Sequence, residues 1–437
     1  MTTAGGPTIT STVRSLTLPV WVLMLGTLVN TVGSFLLLFL TLYLTNKGFT
    51  PFVAGLALGA WGVGRIVGAF IGGVVADRIG YRATMALSML TTAVFIVGLV
   101  VAAGQGNAWL VVAASLVAAS LGGIWRPPAQ ALLTELTPRD RLVTVTAIYR
   151  LAFNAGMLVS PLLGAVLSRI SWDLLFWVEA ASSAVFGLLV LALLPPDRKQ
   201  ATAPAGDPVT GTAAGPAPGY GVVLRDRTFV LFLGALVLNA VVYIQAPAVL
   251  SLHLDSLGHP ATVFGALASL NALMVILLEV PFTRVTQRFQ ARTTIAAGMA
   301  LTGIGLSFYS LPLGIAGFVL ATVVWTMGEV VASPSMLAYP GLVAPPALRG
   351  RYIAAATVAH QAGYSIGPVV GTAVWAGLGG GVFWIAGAVS AVAVAAILGS
   401  VRMVDTAPES VRDGEVTNAT NVTESTGPAD AVAPEKS

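Results

Sequence analysis

Two charged side chains lie deep inside apolar runs, and their types suit proton chemistry. Arg126 falls in the run 108–133 and Glu329 in the run 313–338. An unpaired charge in hydrocarbon costs roughly 3 kcal/mol or more, so each calls for a partner or a task. A carboxyl group in such surroundings can take up and release a proton, and a nearby guanidinium tunes how readily it does so. Gly122, Arg126 and Gln130 share one helical face by their i, i+4 spacing. Arg126 lies about 12 Å from the end of its run at the helical rise per residue.

Other polar residues within apolar runs carry weaker signals. Arg65 is deep in the run 52–76 with no evident partner, and Arg150 can snorkel or pair with a loop acid. Glu279, two residues before Pro281, is placed to cap a gate. Glu179 can be a proton relay or a hydrated carboxylate, and His360 a packed polar residue or a proton carrier. Asn239 and Tyr243 share a face and are candidates to line a cavity. Trp61, Trp125, Trp325 and Met327 offer an apolar binding surface, or else plain packing.

The elements that must position these residues are membrane helices. The chain is 56% hydrophobic with a mean hydropathy of +0.87, more apolar surface than a water-soluble fold can bury. Runs of about 20 residues, the length needed to cross a bilayer, occur at 18–45, 52–76, 83–103, 108–133, 143–168 and 172–194. A second set follows at 228–254, 260–283, 291–311, 313–338, 350–376 and 380–402. The first run is too long for a cleaved signal peptide. No cysteine is present, the three histidines are scattered, and the net charge is only +4. These features argue against a disulfide framework, a metal site and nucleic-acid binding. No P-loop, Ser/His/Asp set or soluble catalytic domain is visible, which argues against an enzyme and against ATP as the energy source.

Charge placement orients the spans. Of the 22 Lys and Arg residues, only Lys47 and Arg169 fall in odd-numbered loops and Arg65, Arg126 and Arg150 well inside spans, with Arg292, Arg351 and Arg402 at the ends of theirs. The remainder mark the even-numbered loops, linker and tails as cytoplasmic, and with them both termini. Arginine in excess over lysine, with Ala, Val, Gly and Leu dominant, points to a bacterium with a GC-rich genome and hence to its plasma (inner) membrane. The resulting layout is a tail 1–17, a six-helix bundle 18–194, a flexible cytoplasmic linker 195–227, a second bundle 228–402 and an acidic, disordered tail 403–437. Two Asn-x-Thr sequons at Asn418 and Asn421 read as chance matches in a Thr-rich tail.

The two halves repeat. Residues 122–164 reappear as 329–371, placing Pro127 on Pro334, Pro138 on Pro345, Gly156 on Gly363, Pro161 on Pro368 and Gly164 on Gly371. Small residues at these positions let helices approach closely, and each proline removes a backbone hydrogen bond. The pair reads as a hinge or seal, or as ordinary helix packing. Such duplicated bundles are how secondary transporters build alternating access around a midplane site.

One stretch is more specific. Gly72–Thr84, GGVVADRIGYRAT, sets Asp77, Arg78 and Arg82 among Gly72, Gly73 and Gly80 between two apolar runs, and reads as a tight polar hairpin. Its spacing G-x-x-x-x-D-R-x-G-x-R resembles the signature loop of the major facilitator superfamily. The second copy keeps Arg288 and Arg292 but has Gln287 and Gln290 in place of the acid and the turn glycine.

The resemblance implies an all-α integral membrane fold of twelve transmembrane helices in two pseudo-symmetric six-helix bundles. It implies a monomer in the lipid bilayer, with no cofactor and a proton gradient as energy source. It makes Asp77 a latch on the N-terminal end of the eleventh helix, with Arg78 and Arg82 bridging to acids such as Glu135. The alternative is that these are loop charges that only enforce orientation. Helices one, four, seven and ten then line the cavity, so Arg126 and Glu329 face each other across it, as a proton-coupling pair or as a permanent ion pair. GMLVSPLLG, Gly156–Gly164, resembles the antiporters' glycine-proline motif, with Ser160 where glycine is commoner. Asn30 stands where some drug antiporters carry an acid. The implied function is proton-coupled efflux of hydrophobic or cationic drugs by alternating access. The other reading is uptake or export of a metabolite such as a sugar, amino acid or organic acid.

Overall fold

A computed structural model describes residues 16–138, 141–196, 221–286, 288–345 and 348–400. The tail 403–437, most of the tail 1–17, the body of the linker and Gln287 lie outside the described residues. The described chain is helical throughout, as a bilayer demands of any backbone that must satisfy its own polar groups.

Among the described residues twelve helical rods can be followed. The first is broken into α1a (Leu18–Val32) and α1b (Leu36–Asn46). Then come α2 (Pro51–Ile79), α3 (Tyr81–Gly104), the broken pair α4a (Ala108–Ile124) and α4b (Arg126–Glu135), α5 (Leu142–Leu167) and α6 (Trp172–Leu193). The second half has α7 in three pieces, α7a (Arg227–Tyr243), α7b (Gln245–Ala248) and α7c (Leu250–Ser256). It continues with α8 (Ala261–Thr286), α9 (Ala291–Ser307), α10 (Gly314–Val343), α11 (Arg349–Leu378) and α12 (Gly380–Ser400). Among the described residues, nine segments are long and apolar enough to cross a membrane. Large apolar side chains such as Phe70, Val94 and Leu337 are about two-thirds or more exposed, a surface suited to lipid.

The breaks have chemical causes. Pro127 and Pro128 lack the N–H groups that would continue α4a, so the rod restarts at Arg126 with proline in its first turn. Pro247 does the same for α7. By contrast α5 runs through Pro161 and α11 through Pro368 without interruption.

Two expectations are corrected. The Gly72–Thr84 stretch is not a loop: α2 runs to Ile79, α3 starts at Tyr81, and Gly80 alone joins them. Its φ of +89° is a backbone state that only glycine adopts without strain. The linker 195–227 is not wholly without structure, because Gly221–Arg225 is helical. Val223 is fully buried there, in a core with Phe229, Phe232 and Tyr352, which ties the segment to the second half.

The halves mirror each other in packing. Within the first, α1a packs on α5 and α6, α2 on α4a, and α3 on α4a and α6. Within the second, α7a packs on α11 and α12, α8 on α10, and α9 on α10 and α12. Between halves, α2 meets α11, α5 meets α8, and α1b meets α7b and α7c. The close approaches cluster on the membrane face that carries Lys47. A Cβ on Gly59 would stand 2.6 Å from the Ser365 carbonyl oxygen of α11, and one on Gly265 would stand 2.6 Å from that of Pro161. Across the same face Ser269 Oγ donates to Leu158 O at 2.8 Å, Arg169 reaches Thr262 at 3.1 Å, and the Thr41 and Ser251 hydroxyls lie 3.4 Å apart. The halves are therefore clamped together on the Lys47 face.

Candidate functional site: a two-chambered cavity between the halves

The breaks in α1 and α7 organise the centre of the molecule. Where α1 stops, at Gly33–Phe35, exposed backbone groups must find partners. Glu179 on α6 supplies one: its Oε2 accepts from Phe35 N and Leu36 N, each at 2.9 Å. Ser160 on α5 supplies another, its Oγ donating to Ser34 O at 3.0 Å. Serine in place of glycine in GMLVSPLLG thus carries a specific bond. Gly156 and Gly164 flank this break, meeting Thr31 and Phe39. The repeated motif on α11 does the same for α7, with Gly363 against Val237 and Gly371 against Gln245. Gln245 Nε2 donates to Gly367 O at 3.0 Å.

Two adjoining chambers lie between these broken helices. One, of about 270 Å³, is lined by Asn30, Trp61, Arg65, Arg126, Phe153 and Gln361. The other, of about 210 Å³, is lined mainly by apolar and aromatic groups, among them Tyr243, Phe264, Leu267, Tyr309 and Trp325. Leu37, Leu38, Met157, Ile244 and Tyr364 border both.

The expected Arg126–Glu329 pair does not form in this conformation. Glu329 is held within its own half: Tyr243 Oη donates to Oε1 at 2.9 Å and Asn271 Nδ2 to Oε2 at 2.9 Å. Asn271 also donates to Thr326 at 3.1 Å. The Arg126 guanidinium instead lies over the rings of Trp125 (5.7 Å) and Phe153 (5.0 Å), and its Nε is buried without a hydrogen-bond partner among the described residues. Arg65 lies 5.3 Å over Trp61, within electrostatic reach of Arg126 and Glu179. The reason is topological: α8 delivers Asn271 and α7 delivers Tyr243 directly to Glu329, so its carboxylate is satisfied before it reaches the other half.

Other sequence candidates divide. Asn30 lines the chamber and donates to Ser183 at 3.2 Å. Tyr243 lines the aromatic chamber, while Asn239 and the exposed Gln130 are not among the lining residues of either. Trp61 and Trp325 face the chambers, whereas Trp125 is a core residue edge-on to Phe186 at 5.1 Å. Asn271, Gln361 and Tyr364 were missed. Asn271 is a lone amide in an apolar run, and Tyr364 sits inside the repeated GYSIGPVVG motif, so both left a signal in the sequence.

The residues expected to form a latch lie together, but Asp77 does not reach α11 among the described residues. Asp77, Arg78, Arg82 and Glu135 line one cavity of about 840 Å³ with Leu136 and Pro195. Arg82 donates to Leu191 O of α6. Among the described residues Asp77 makes no hydrogen bond or ion pair, to α11 or elsewhere, and Glu135 makes no ion pair. Gly73 has open space beside it. Toward this face the halves are bridged by Arg150 of α5 and Glu279 of α8, 3.6 Å apart. At the opposite face Lys47 pairs with Asp173 at 2.8 Å, and Tyr43 donates to the same carboxylate. Among the described residues no group of three or more His, Asp or Glu could hold a metal.

The relatives agree with this architecture. The chain is 27% identical over 371 residues to a Na(+), Li(+), K(+)/H(+) antiporter of Planococcus maritimus, covering 78% of this chain and 86% of the relative. It is 23% identical over 330 residues to the multidrug resistance protein MdtH of Proteus mirabilis, covering 74% and 78%. Among solved structures, a point mutant of the nucleoside transporter NupG superimposes with a TM-score of 0.74 at 14% identity, covering 87% of this chain and 99% of that one. At that identity the likeness shows the fold alone. A model of the Major Facilitator Superfamily matches residues 23–258 and again 231–429. The duplicated bundles, the G-x-x-x-x-D-R-x-G-x-R turn and this match agree: the chain is a multi-pass membrane protein belonging to the Major Facilitator Superfamily.

Proposed function

We propose that the protein is a secondary transporter that exports hydrophobic small molecules from a bacterium across its inner membrane, driven by inward proton flow. The observation that carries this reading is the aromatic chamber between the halves, bordered by Tyr243, whose hydroxyl binds the buried carboxylate of Glu329. A substrate against Tyr243 and a proton on Glu329 then compete through one hydrogen bond. With the Gly80 face cytoplasmic, this conformation is sealed outward, and Asp77, in no contact with α11 among the described residues, leaves the cytoplasmic side ready to load substrate. The multidrug and cation/proton antiporter relatives support export and proton coupling. Cations as cargo find less support, because the charged groups lining the cavity are guanidiniums. We read the chain as working as a monomer, since the cavity is complete within one chain.

The test uses inverted membrane vesicles holding an acid interior reported by a quenched dye. Adding chloramphenicol, a neutral hydrophobic compound, should release protons from vesicles containing the protein and not from those with Glu329→Gln. Proton release on adding sugars or amino acids alone would favour the metabolite reading instead.

A further inference from the structure

We propose that the cavity takes an amphipathic organic anion, its carboxylate seated between Arg65 and Arg126 and its apolar body in the aromatic chamber. This rests on the transport reading above and narrows its substrate class.

Arg65 comes from α2 and Arg126 from the start of α4b, yet both line one chamber. Bringing two like charges together in a low-dielectric site is costly unless an anion offsets them. No carboxylate among the described residues pairs directly with them. Among the described residues neither guanidinium has an ion-pair partner within 4.0 Å, and Arg126 Nε is buried and unbonded. Glu179, the acid within electrostatic reach of Arg65, and Glu329 in the other half each make their hydrogen bonds elsewhere. Glu179 spends Oε2 on Phe35 N and Leu36 N, and Glu329 is bound by Tyr243 and Asn271. Instead, the faces of Trp61, Trp125 and Phe153 hold the guanidiniums. Contact with a ring face uses none of the guanidinium's N–H donors, the groups that bind carboxylates. Gln361 and Asn30 add neutral polar groups at the rim. The second chamber begins at Tyr364 and Ile244, so a molecule anchored at the arginines has an apolar space for its body. A cation would meet two positive charges, and a neutral sugar would meet too few hydrogen-bonding groups in the aromatic chamber.

The experiment compares 2-naphthoate, neutral 2-naphthamide and 2-naphthylmethylammonium in equilibrium binding to the purified full-length protein in lipid nanodiscs, with no proton gradient. Naphthoate should bind tightest, by about tenfold or more, the scale of a charge-assisted hydrogen bond. Arg65→Gln and Arg126→Gln should each erase that preference by weakening naphthoate far more than naphthamide, and the naphthamide binding that remains shows that the variants are folded. Trp325→Leu should weaken naphthoate and naphthamide alike. Equal binding of naphthoate and the ammonium by the unaltered protein would overturn the proposal, as would a preference that survives both arginine variants. The wild-type comparison decides even if a variant fails to fold. If naphthoate shows no preference but neutral compounds still release protons from vesicles, only this inference falls. If naphthoate binds but nothing moves protons, the anion site stands and the transport reading falls.

Discussion

Glu179 on α6 places a carboxylate oxygen 2.9 Å from the backbone nitrogen of Phe35, the point where α1 restarts after its break. A single acid thereby caps an interrupted helix inside the membrane, where water is not available to do so. The same oxygen takes Leu36 N. Removing it with Glu179→Ala leaves two buried donors unsatisfied, at about 1–3 kcal/mol each. Glu179→Gln keeps an acceptor and should cost less. Thermal unfolding in detergent checks the order: wild type most stable, then Gln, then Ala. Equal melting of Gln and Ala variants would remove the capping role.

Glu329 belongs with Tyr243 and Asn271, not with Arg126. Glu329→Gln should therefore abolish proton-linked transport while substrate exchange without a gradient persists. Tyr243→Phe removes one of the two hydrogen bonds to the carboxylate and should shift the pH dependence of transport without eliminating it. Unchanged proton coupling in Glu329→Gln would contradict the assignment.

Gly59 lets α2 touch the backbone of α11 on the Lys47 face. Gly59→Leu forces the helices apart there, at an overpacking cost of about 1–3 kcal/mol. That shifts the balance between conformations by roughly 5–150-fold toward opening of the Lys47 face. Labelling of cysteines placed along the cavity from that side should speed up accordingly. No change in labelling would mean that the seal lies elsewhere.

Arg150 and Glu279 join the halves toward the Gly80 face, but both are partly exposed and 3.6 Å apart. A double-mutant cycle on stability should give a coupling of about 0–1 kcal/mol, as for other solvated pairs. A coupling of several kcal/mol would show that the bridge is the main closure on that face.

Much of this was visible in the amino-acid order because bilayer physics is strict. Apolar run length, basic loop residues and the repeat of Gly156–Gly164 as Gly363–Gly371 together led to the helical rods and the duplication. Helix breaks were harder to see. Only the Gly33–Ser34 pair marks the interruption of α1 locally, because its partner Glu179 is distant in sequence and tertiary packing brings it there. The Arg126–Glu329 pairing failed for a related reason. Equal depth in two helices does not fix which neighbour reaches a side chain first, and Asn271 reaches Glu329 from an adjacent helix. The turn at Gly80 was placed correctly but drawn too long, since a positive-φ glycine alone suffices to reverse the chain.

The central claim is that two rigid halves expose one cavity to each side in turn, and the absence of native cysteine makes it directly measurable. Spin labels at Lys47→Cys with Leu257→Cys report the width of one face, and at Ile79→Cys with Phe289→Cys the other. Distance distributions should change in opposite senses when the pH is lowered or a transported compound is added, one pair widening as the other narrows. Distances that stay fixed, or that widen together, would contradict alternating access in this protein.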